Sequence, residues 1–265
     1  MSEKKIRAFQ LKWDSWRRSL EGLTDSTSTG KLICPQGREL AFDTIEDDVI
    51  KVTLPYSICF YAVPQKQKEA SNKTTSKVLV VFIDGYFSFS TNDESNLSDI
   101  LSSAAFFRIV SDQHNKKFLE LVDAYHFDFF KGDVLTSSPH PVFHAQRNIH
   151  LDDMLPQFKK SLEKYTTSRD VEFKAMDQLD KDKLFGLKSF RVPTPQMDIL
   201  NLGAVIAADQ LVGPSNDKTW GIFRKLIDCV HGNEGTQHLI QPPNGHTAGI
   251  YATPRKHLPD WYLAR

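Results

Sequence analysis

The sequence has few cysteines and no long apolar run. Its three cysteines, Cys34, Cys59 and Cys229, lie far apart and form no CxxC pair, so neither a disulfide framework nor a zinc ribbon is indicated. The apolar runs VLVVFI and LGAVIAA are far shorter than the roughly 20 residues of a membrane-spanning helix. The amino terminus is charged and lacks the apolar stretch of a secretory signal. We therefore expect a cytoplasmic protein that binds no membrane.

A surplus of charge and the common nucleotide and nucleophile motifs are also missing. Lysine plus arginine equals aspartate plus glutamate, 33 of each, so no overall field draws the chain to nucleic acid. A nucleic acid partner would need a local basic surface, for which residues 1–23 are the candidate. The patterns GxGxxG, GxxxxGKS/T and GxSxG are absent, which removes the usual signatures of dinucleotide enzymes, P-loop NTPases and α/β-hydrolases. We predict no cofactor.

Patterning along the chain predicts an α+β fold in a single domain, residues 1–265. Residues 5–23 repeat apolar side chains at helical spacing, so 1–37 form an N-terminal helix and loop. Short β-branched and aromatic segments predict a mainly antiparallel sheet over 38–150, with a hairpin turn at Asp84-Gly85 and a loop at 64–77. Residues 151–265 form a helical half and tail packed on one face of the sheet. Helices are expected there at about 152–166, 178–187, 194–212 and 217–231.

The stretch HPVFHAQRNIH, residues 140–150, holds three of the nine histidines. In a strand, alternate side chains share a face. One face then carries all three histidines and Gln146, and the other carries Phe143 and Ile149, which suit a core. The pattern therefore predicts a half-buried strand with a polar face.

This polar face supplies the candidate site residues. His144 and Gln146 lie about 6.6 Å apart in a strand; with His140 and Arg191 they would form a metal-independent phosphate site, a histidine acting as acid or base and the arginine as charge clamp. A metal site is not predicted, since His140 and His144 would lie about 13 Å apart. Only a bend at Pro141 would bring both to one ion, with Asp128 or His126 as a further ligand. The alternative is that the histidines form hydrogen bonds across the sheet and are purely structural.

Three short motifs resemble a group of bacterial proteins classed as domains of unknown function. The motifs are Tyr125-His-Phe-Asp128, His140-Pro-Val-Phe-His144-Ala-Gln146 and Arg191-Val-Pro193, which together resemble the arrangement YxYD…HPxxHxQ…RxP. The resemblance covers about residues 120–212. Some members of the group are encoded near mobile elements and toxin or phage-defence genes, so the resemblance implies a context of that kind and no particular mechanism.

Two functions remain open at this level. The first is a cytoplasmic bacterial protein that binds a macromolecule, with a protein as the expected partner, as one component of a defence or toxin-related complex. The second is a nuclease or related phosphodiester-cleaving effector that uses His140, His144, Gln146 and Arg191, with or without a metal ion recruited by Asp128. Convergence of these side chains in one cleft would favour the second function.

Overall fold

A sheet with helices packed against it forms the part of the chain that the structure describes. The structure is a computed structural model, and it describes residues 3–26, 31–33, 39–46, 48–54, 56–62, 79–90, 97–111, 113–114, 117–129, 143–147, 156, 158, 171–173, 192–193, 199–212 and 218–231. These residues confirm the α+β class and the mainly antiparallel sheet. Pro156 and Phe158 are the described part of the helix expected at 152–166, and both are helical. The expected loop at 64–77, the expected helix at 178–187 and the tail after 231 lie outside the described residues.

The helices and strands follow the predicted order. The helices are α1 (Glu3–Ser26), α2 (Ile199–Leu211) and α3 (Lys218–His231). The strands are β1 (Lys31–Ile33), β2 (Ala41–Glu46), β3 (Val49–Thr53), β4 (Ile58–Ala62), β5 (Leu79–Ser90), β6 (Leu97–Ser111), β7 (Lys117–Phe129), β8 (Phe143–Arg147), β9 (Val171–Phe173) and β10 (Val192–Pro193). The sheet therefore begins before residue 38, and the half of the chain expected to be helical also contributes two short strands.

The sheet is built around the three long strands β5, β6 and β7. Within the described residues its path is β1-β4-β5-β6-β7-β8-β10. Strand β3 pairs with β2 and with the second half of β5, and β9 pairs with the start of β7 as the one parallel neighbour in this part of the chain. The second halves of β5 and β7 and the first half of β6 thus lie between β3 on one side and β8 and β10 on the other.

Helices α1, α2 and α3 cover one face of this sheet, which we call the helix face. The helical residue Phe158 packs against Phe82 on the opposite face. Val81 and Ile83 of β5 belong to the main core cluster together with side chains of α1, α2 and α3. Trp16 of α1 is fully buried there, and its indole N–H donates to the carbonyl oxygen of Leu200 at 3.1 Å. Because alternate strand residues point to opposite faces, the residues of β5 between these core positions lie on the other face of the sheet.

The predicted hairpin turn at Asp84-Gly85 is wrong. Strand β5 runs unbroken from Leu79 to Ser90, and Gly85 lies opposite Ser102 in the middle of its pairing with β6. Gly85 has a φ of 150°, and a Cβ at this position would lie 2.1 Å from the carbonyl oxygen of Leu101. A glycine is therefore required by the close approach of two strands, not by a turn.

Candidate functional site

The face of the sheet opposite the helix face carries a continuous row of polar side chains. The pairing register places Asp84 of β5 opposite Ser103 of β6, Ser103 opposite His126 of β7, and His126 opposite Gln146 of β8. Ser57, directly before β4, extends this line by donating a hydrogen bond to Asp84 Oδ2 at 2.7 Å. We call these five residues the polar row and this side of the sheet the polar face.

Four members of the polar row are buried, and Asp84 is partly exposed. Ser57 and Ser103 are at most 1% exposed, His126 is 4% exposed and Gln146 is 7% exposed. Removing polar groups from water is unfavourable unless they are hydrogen-bonded. Polar and apolar residues alternate along each strand, so the polar residues of a strand lie on one face. The pairing of neighbouring strands then aligns these polar residues side by side across the sheet.

Asp84 supplies the carboxyl group of the polar row. Its Oδ1 accepts a hydrogen bond from the backbone N–H of Gly85 at 2.7 Å, and Ser57 bonds the other oxygen. Burial nevertheless outweighs these two bonds and raises the pKa of the Asp84 carboxyl above its ordinary value. The protonated acid is therefore favoured at this position more than in water.

A second line of residues runs beside the polar row on the same face. Tyr86 lies opposite Leu101, Leu101 opposite Asp128, and Asp128 opposite His144. His144 in turn lies opposite Pro193 of β10. The two lines together bring side-chain chemistry from β5, β7 and β8 to one side of the sheet.

His126 and Asp128 form the contact that joins the two lines. His126 Nε2 lies 3.6 Å from Asp128 Oδ2, and the exposed fraction is 5% for the histidine side chain and 34% for the aspartate side chain. Since they are two residues apart on one strand, both point to the polar face. The pair thus links a buried imidazole to a carboxylate that solvent can reach.

Tyr86 interacts with the charge of Asp128 and is hydrogen-bonded to a second carboxylate, that of Asp99. Its hydroxyl donates to Asp99 Oδ2 at 2.9 Å, and Lys51 Nζ lies 3.8 Å from the centre of its ring. Burial, the hydrogen bond to Asp99, and the negative charges of Asp99 and Asp128 together raise the pKa of Tyr86 to about 12. The tyrosine is therefore a hydrogen-bond donor throughout the neutral pH range.

The structure brings together part of the predicted site. His144 and Gln146 lie in a strand as predicted, and its register places them opposite Asp128 and His126. His140 and Arg191 lie outside the described residues. The described residue that follows Arg191, Val192, pairs with Ala145 of β8.

Sequence analysis did not assign Asp84, Ser103 or Tyr86 to the site. The alternation of Phe82, Asp84 and Tyr86 in β5 was the available signal, and the hairpin interpretation at Asp84-Gly85 concealed it. His126 was considered only as a further metal ligand. Its position became informative once the register placed it between Ser103 and Gln146.

Metal-binding clusters and membrane-spanning helices are both absent from the described residues. Among their side chains, no group of three or more histidine, cysteine or acidic residues is arranged to hold a metal ion. Within the same residues, no helix combines the length and apolar character that crossing a membrane requires. Comparisons of the chain with family profiles, with curated proteins and with solved structures found no match.

Proposed function

We propose that the chain cleaves phosphodiester bonds and that the polar face at β7 and β8 holds the reacting phosphate. The observation that supports this proposal is the contact between His126 and Asp128, 3.6 Å apart, in a register that also brings His144 and Gln146 to the same two strands. An imidazole in contact with a carboxylate activates a water molecule, either directly as an oriented base or by holding a metal ion. The water oxygen then bonds to phosphorus while the ester oxygen leaves with a proton.

Exposure of the site agrees with this proposal. The side chain of Asp128 is 34% exposed whereas that of His126 is 5% exposed, so a substrate would approach from the aspartate side. Gln146, buried opposite His126, has an amide that can donate to a phosphate oxygen.

The experiment measures cleavage of labelled single-stranded RNA and DNA by the purified full chain, with and without divalent ions. We expect Asp128→Asn to lower the cleavage rate by about 100-fold, since loss of one acid–base group typically has this effect. Asp43→Asn is the matched control, because Asp43 is exposed on β2, and it should leave the rate unchanged. Absence of cleavage, or full activity of Asp128→Asn with unchanged thermal stability, would contradict the proposal.

A second function, binding of a protein partner in a defence or toxin-related complex, is favoured by the charge of the neighbouring surface. Asp99, Tyr86 and Asp128 form an acidic region in which Lys51 already lies over the tyrosine ring. Such a region attracts a basic segment of a partner and repels a nucleic acid backbone. This function predicts that the chain co-purifies with a protein encoded beside it and that Asp99→Asn weakens the complex. A monomeric chain that binds none of these proteins and cleaves RNA would contradict it.

Both functions fit the cytoplasmic location expected from the sequence. Fractionation of cells that express the full chain tests this location.

A further inference from the structure

We propose that the ammonium group of Lys51 binds a phosphate of the nucleic acid substrate on the polar face. This inference rests on the proposed phosphodiester cleavage, because it names the positive charge that holds the substrate at the same site. Sequence analysis assigned that part to Arg191, which lies outside the described residues. Of the described side chains on the polar face, that of Lys51 is the only one from a lysine or an arginine.

The pairing register places Lys51 on the polar face. Lys51 of β3 lies opposite Ser88 of β5, and Ser88 is two residues from Tyr86 on the same strand. Because alternate residues of a strand share a face, Lys51, Ser88 and Tyr86 all point to one side of the sheet. Lys51 therefore lies beside the second line of residues, the line that leads from Tyr86 to Asp128.

Lys51 also has an acidic neighbour with which it forms no ion pair. Asp43 of β2 lies directly opposite Lys51, and residues in that relation have Cβ atoms about 4.5–5.5 Å apart, close enough for oppositely charged side chains to meet. Instead, Lys51 Nζ lies 3.8 Å from the centre of the Tyr86 ring. None of the ion pairs between described side chains includes Lys51. The ammonium group is therefore directed toward Tyr86 and keeps its charge available to an anion.

The Tyr86 ring holds this ammonium group without neutralising it. A cation within about 6 Å of an aromatic ring centre is attracted by the electrons of the ring face, whereas a carboxylate partner would cancel the charge. An ammonium group has three N–H donors, and contact with one ring face leaves donors for an anion. The Tyr86 hydroxyl donates to Asp99 at 2.9 Å, which holds the ring in place. The contact thus presents a positioned positive charge on the polar face.

The space between Tyr86 and the contact of His126 with Asp128 suits a phosphate and its attacking water. Tyr86 and Asp128 lie opposite Leu101 on its two sides, so their backbones are two strand spacings, about 10 Å, apart. This separation is on the scale of one small group with a hydrogen bond on each side. Leu101 is partly exposed, so a ligand can reach the surface between the two residues.

The neighbouring charges make a cation necessary for a phosphate at this place. Asp99 and Asp128 repel an anion, and both are only partly exposed, so solvent and salt screen their charges less than on an open surface. His126 offsets the charge of Asp128 only while its imidazole is protonated. Without Lys51, the described part of the polar face would therefore repel nucleic acid.

The test compares the binding of two labelled single-stranded DNA oligomers of one sequence to the purified full chain, measured by fluorescence anisotropy. One oligomer has ordinary phosphodiester linkages, and the other has methylphosphonate linkages, which carry no charge. We expect Lys51→Met to weaken binding of the phosphodiester oligomer about tenfold, as loss of a charge-assisted hydrogen bond does. Binding of the methylphosphonate oligomer should not change.

Two further variants serve as controls. Lys225→Met removes an exposed lysine of α3, a helix on the opposite side of the sheet, and should bind both oligomers as the parent does. Lys51→Arg keeps the positive charge and its attraction to the Tyr86 ring, so it should retain most of the affinity that Lys51→Met loses.

The outcomes separate this inference from the proposed function. Equal affinity of Lys51→Met and the parent for the phosphodiester oligomer, or an equal loss for both oligomers, would overturn the inference, since an equal loss indicates a structural role. A parent chain that binds labelled oligolysine but not the phosphodiester oligomer would also overturn it and favour a protein partner. Binding through Lys51 by a chain that cleaves no nucleic acid would support the inference and contradict the proposed function. Cleavage by Lys51→Met with the KM of the parent would overturn the inference and leave the cleavage proposal intact.

Discussion

Gly203→Ala gives a quantitative test of how the helices pack on the sheet. A Cβ at Gly203 of α2 would lie 2.3 Å from Cζ2 and 2.8 Å from Cη2 of the Trp16 ring. The indole cannot easily retreat, because it is fully buried and its N–H is bonded to the carbonyl oxygen of Leu200. The substitution therefore forces either the ring or the helix to move.

The net change in the free energy of unfolding caused by Gly203→Ala is the difference between two opposing contributions. Alanine is favoured over glycine in a helix interior by about 1 kcal/mol, whereas forcing extra volume into a packed core costs about 1–3 kcal/mol. Since the predicted contact with Trp16 is far inside van der Waals distance, we expect Gly203→Ala to lower the free energy of unfolding by about 1–2 kcal/mol. The melting temperature of a domain of this size should fall by about 2–8 °C.

Gly221→Ala in α3 is the matched control. Gly221 is exposed and a Cβ there would meet no atom within 4 Å, so the same chemical change should stabilise the protein by about 0.5–1 kcal/mol. The assay is urea unfolding followed by circular dichroism for each variant, for Trp16→Phe and for the double variant. Beside the smaller ring of Trp16→Phe, Gly203→Ala should cost less stability than it does in the parent. A Gly203→Ala variant as stable as Gly221→Ala would refute the packing of α1 against α2 described above.

Two further predictions concern β5. Gly85→Ala should destabilise by about 3 kcal/mol or prevent folding, because it combines a φ of 150° with a Cβ 2.1 Å from the Leu101 carbonyl oxygen; soluble yield and thermal unfolding measure this, and a variant of parent stability would contradict it. Asp84→Asn should stabilise the protein relative to the parent increasingly as pH rises, because the raised pKa of Asp84 means that the folded state favours the protonated acid and loses that contribution as pH rises through the raised pKa. Unfolding measured from pH 4 to pH 8 tests the sign, and a difference that is constant with pH would contradict it.

The helices and strands of this fold were predictable where the spacing of apolar and polar side chains within one segment determines its structure. The spacing of Trp13, Trp16 and Leu20 in α1 predicts its buried face, and these residues are buried. The alternation in β8 predicts a strand with Gln146 on the polar side. The Asp84-Gly85 error has a physical cause, because the same dipeptide serves a tight turn and a close approach between strands, and only the partner strand distinguishes the two.

The candidate site was less predictable because pairing between distant strands creates it. His144 was singled out from its own segment, but its partner Asp128 is defined by the β7–β8 register, and the position of Asp84 in the polar row by the pairing of β5 with β6 and β6 with β7. A shift of one residue in any of these registers would move a whole strand to the other face. No single segment contains the information that sets all these registers.

The burial of polar side chains in this row bears on whether their role is structural or functional. Replacing a hydrogen-bonded polar group in a protein interior by an apolar group of similar shape is often neutral or stabilising, so folding stability alone does not require Ser103, His126 and Gln146 at three adjacent, buried positions. The helix face shows the alternative, since Val81, Ile83 and Ala104 fill the equivalent positions of β5 and β6 with apolar side chains. The opposite face of the same two strands carries hydrogen-bonding groups beside a second apolar cluster, in which Phe82, Phe107 and Phe158 pack together. Burial also strengthens the interaction of those hydrogen-bonding groups with a bound charge, which is what the phosphate site that we propose requires.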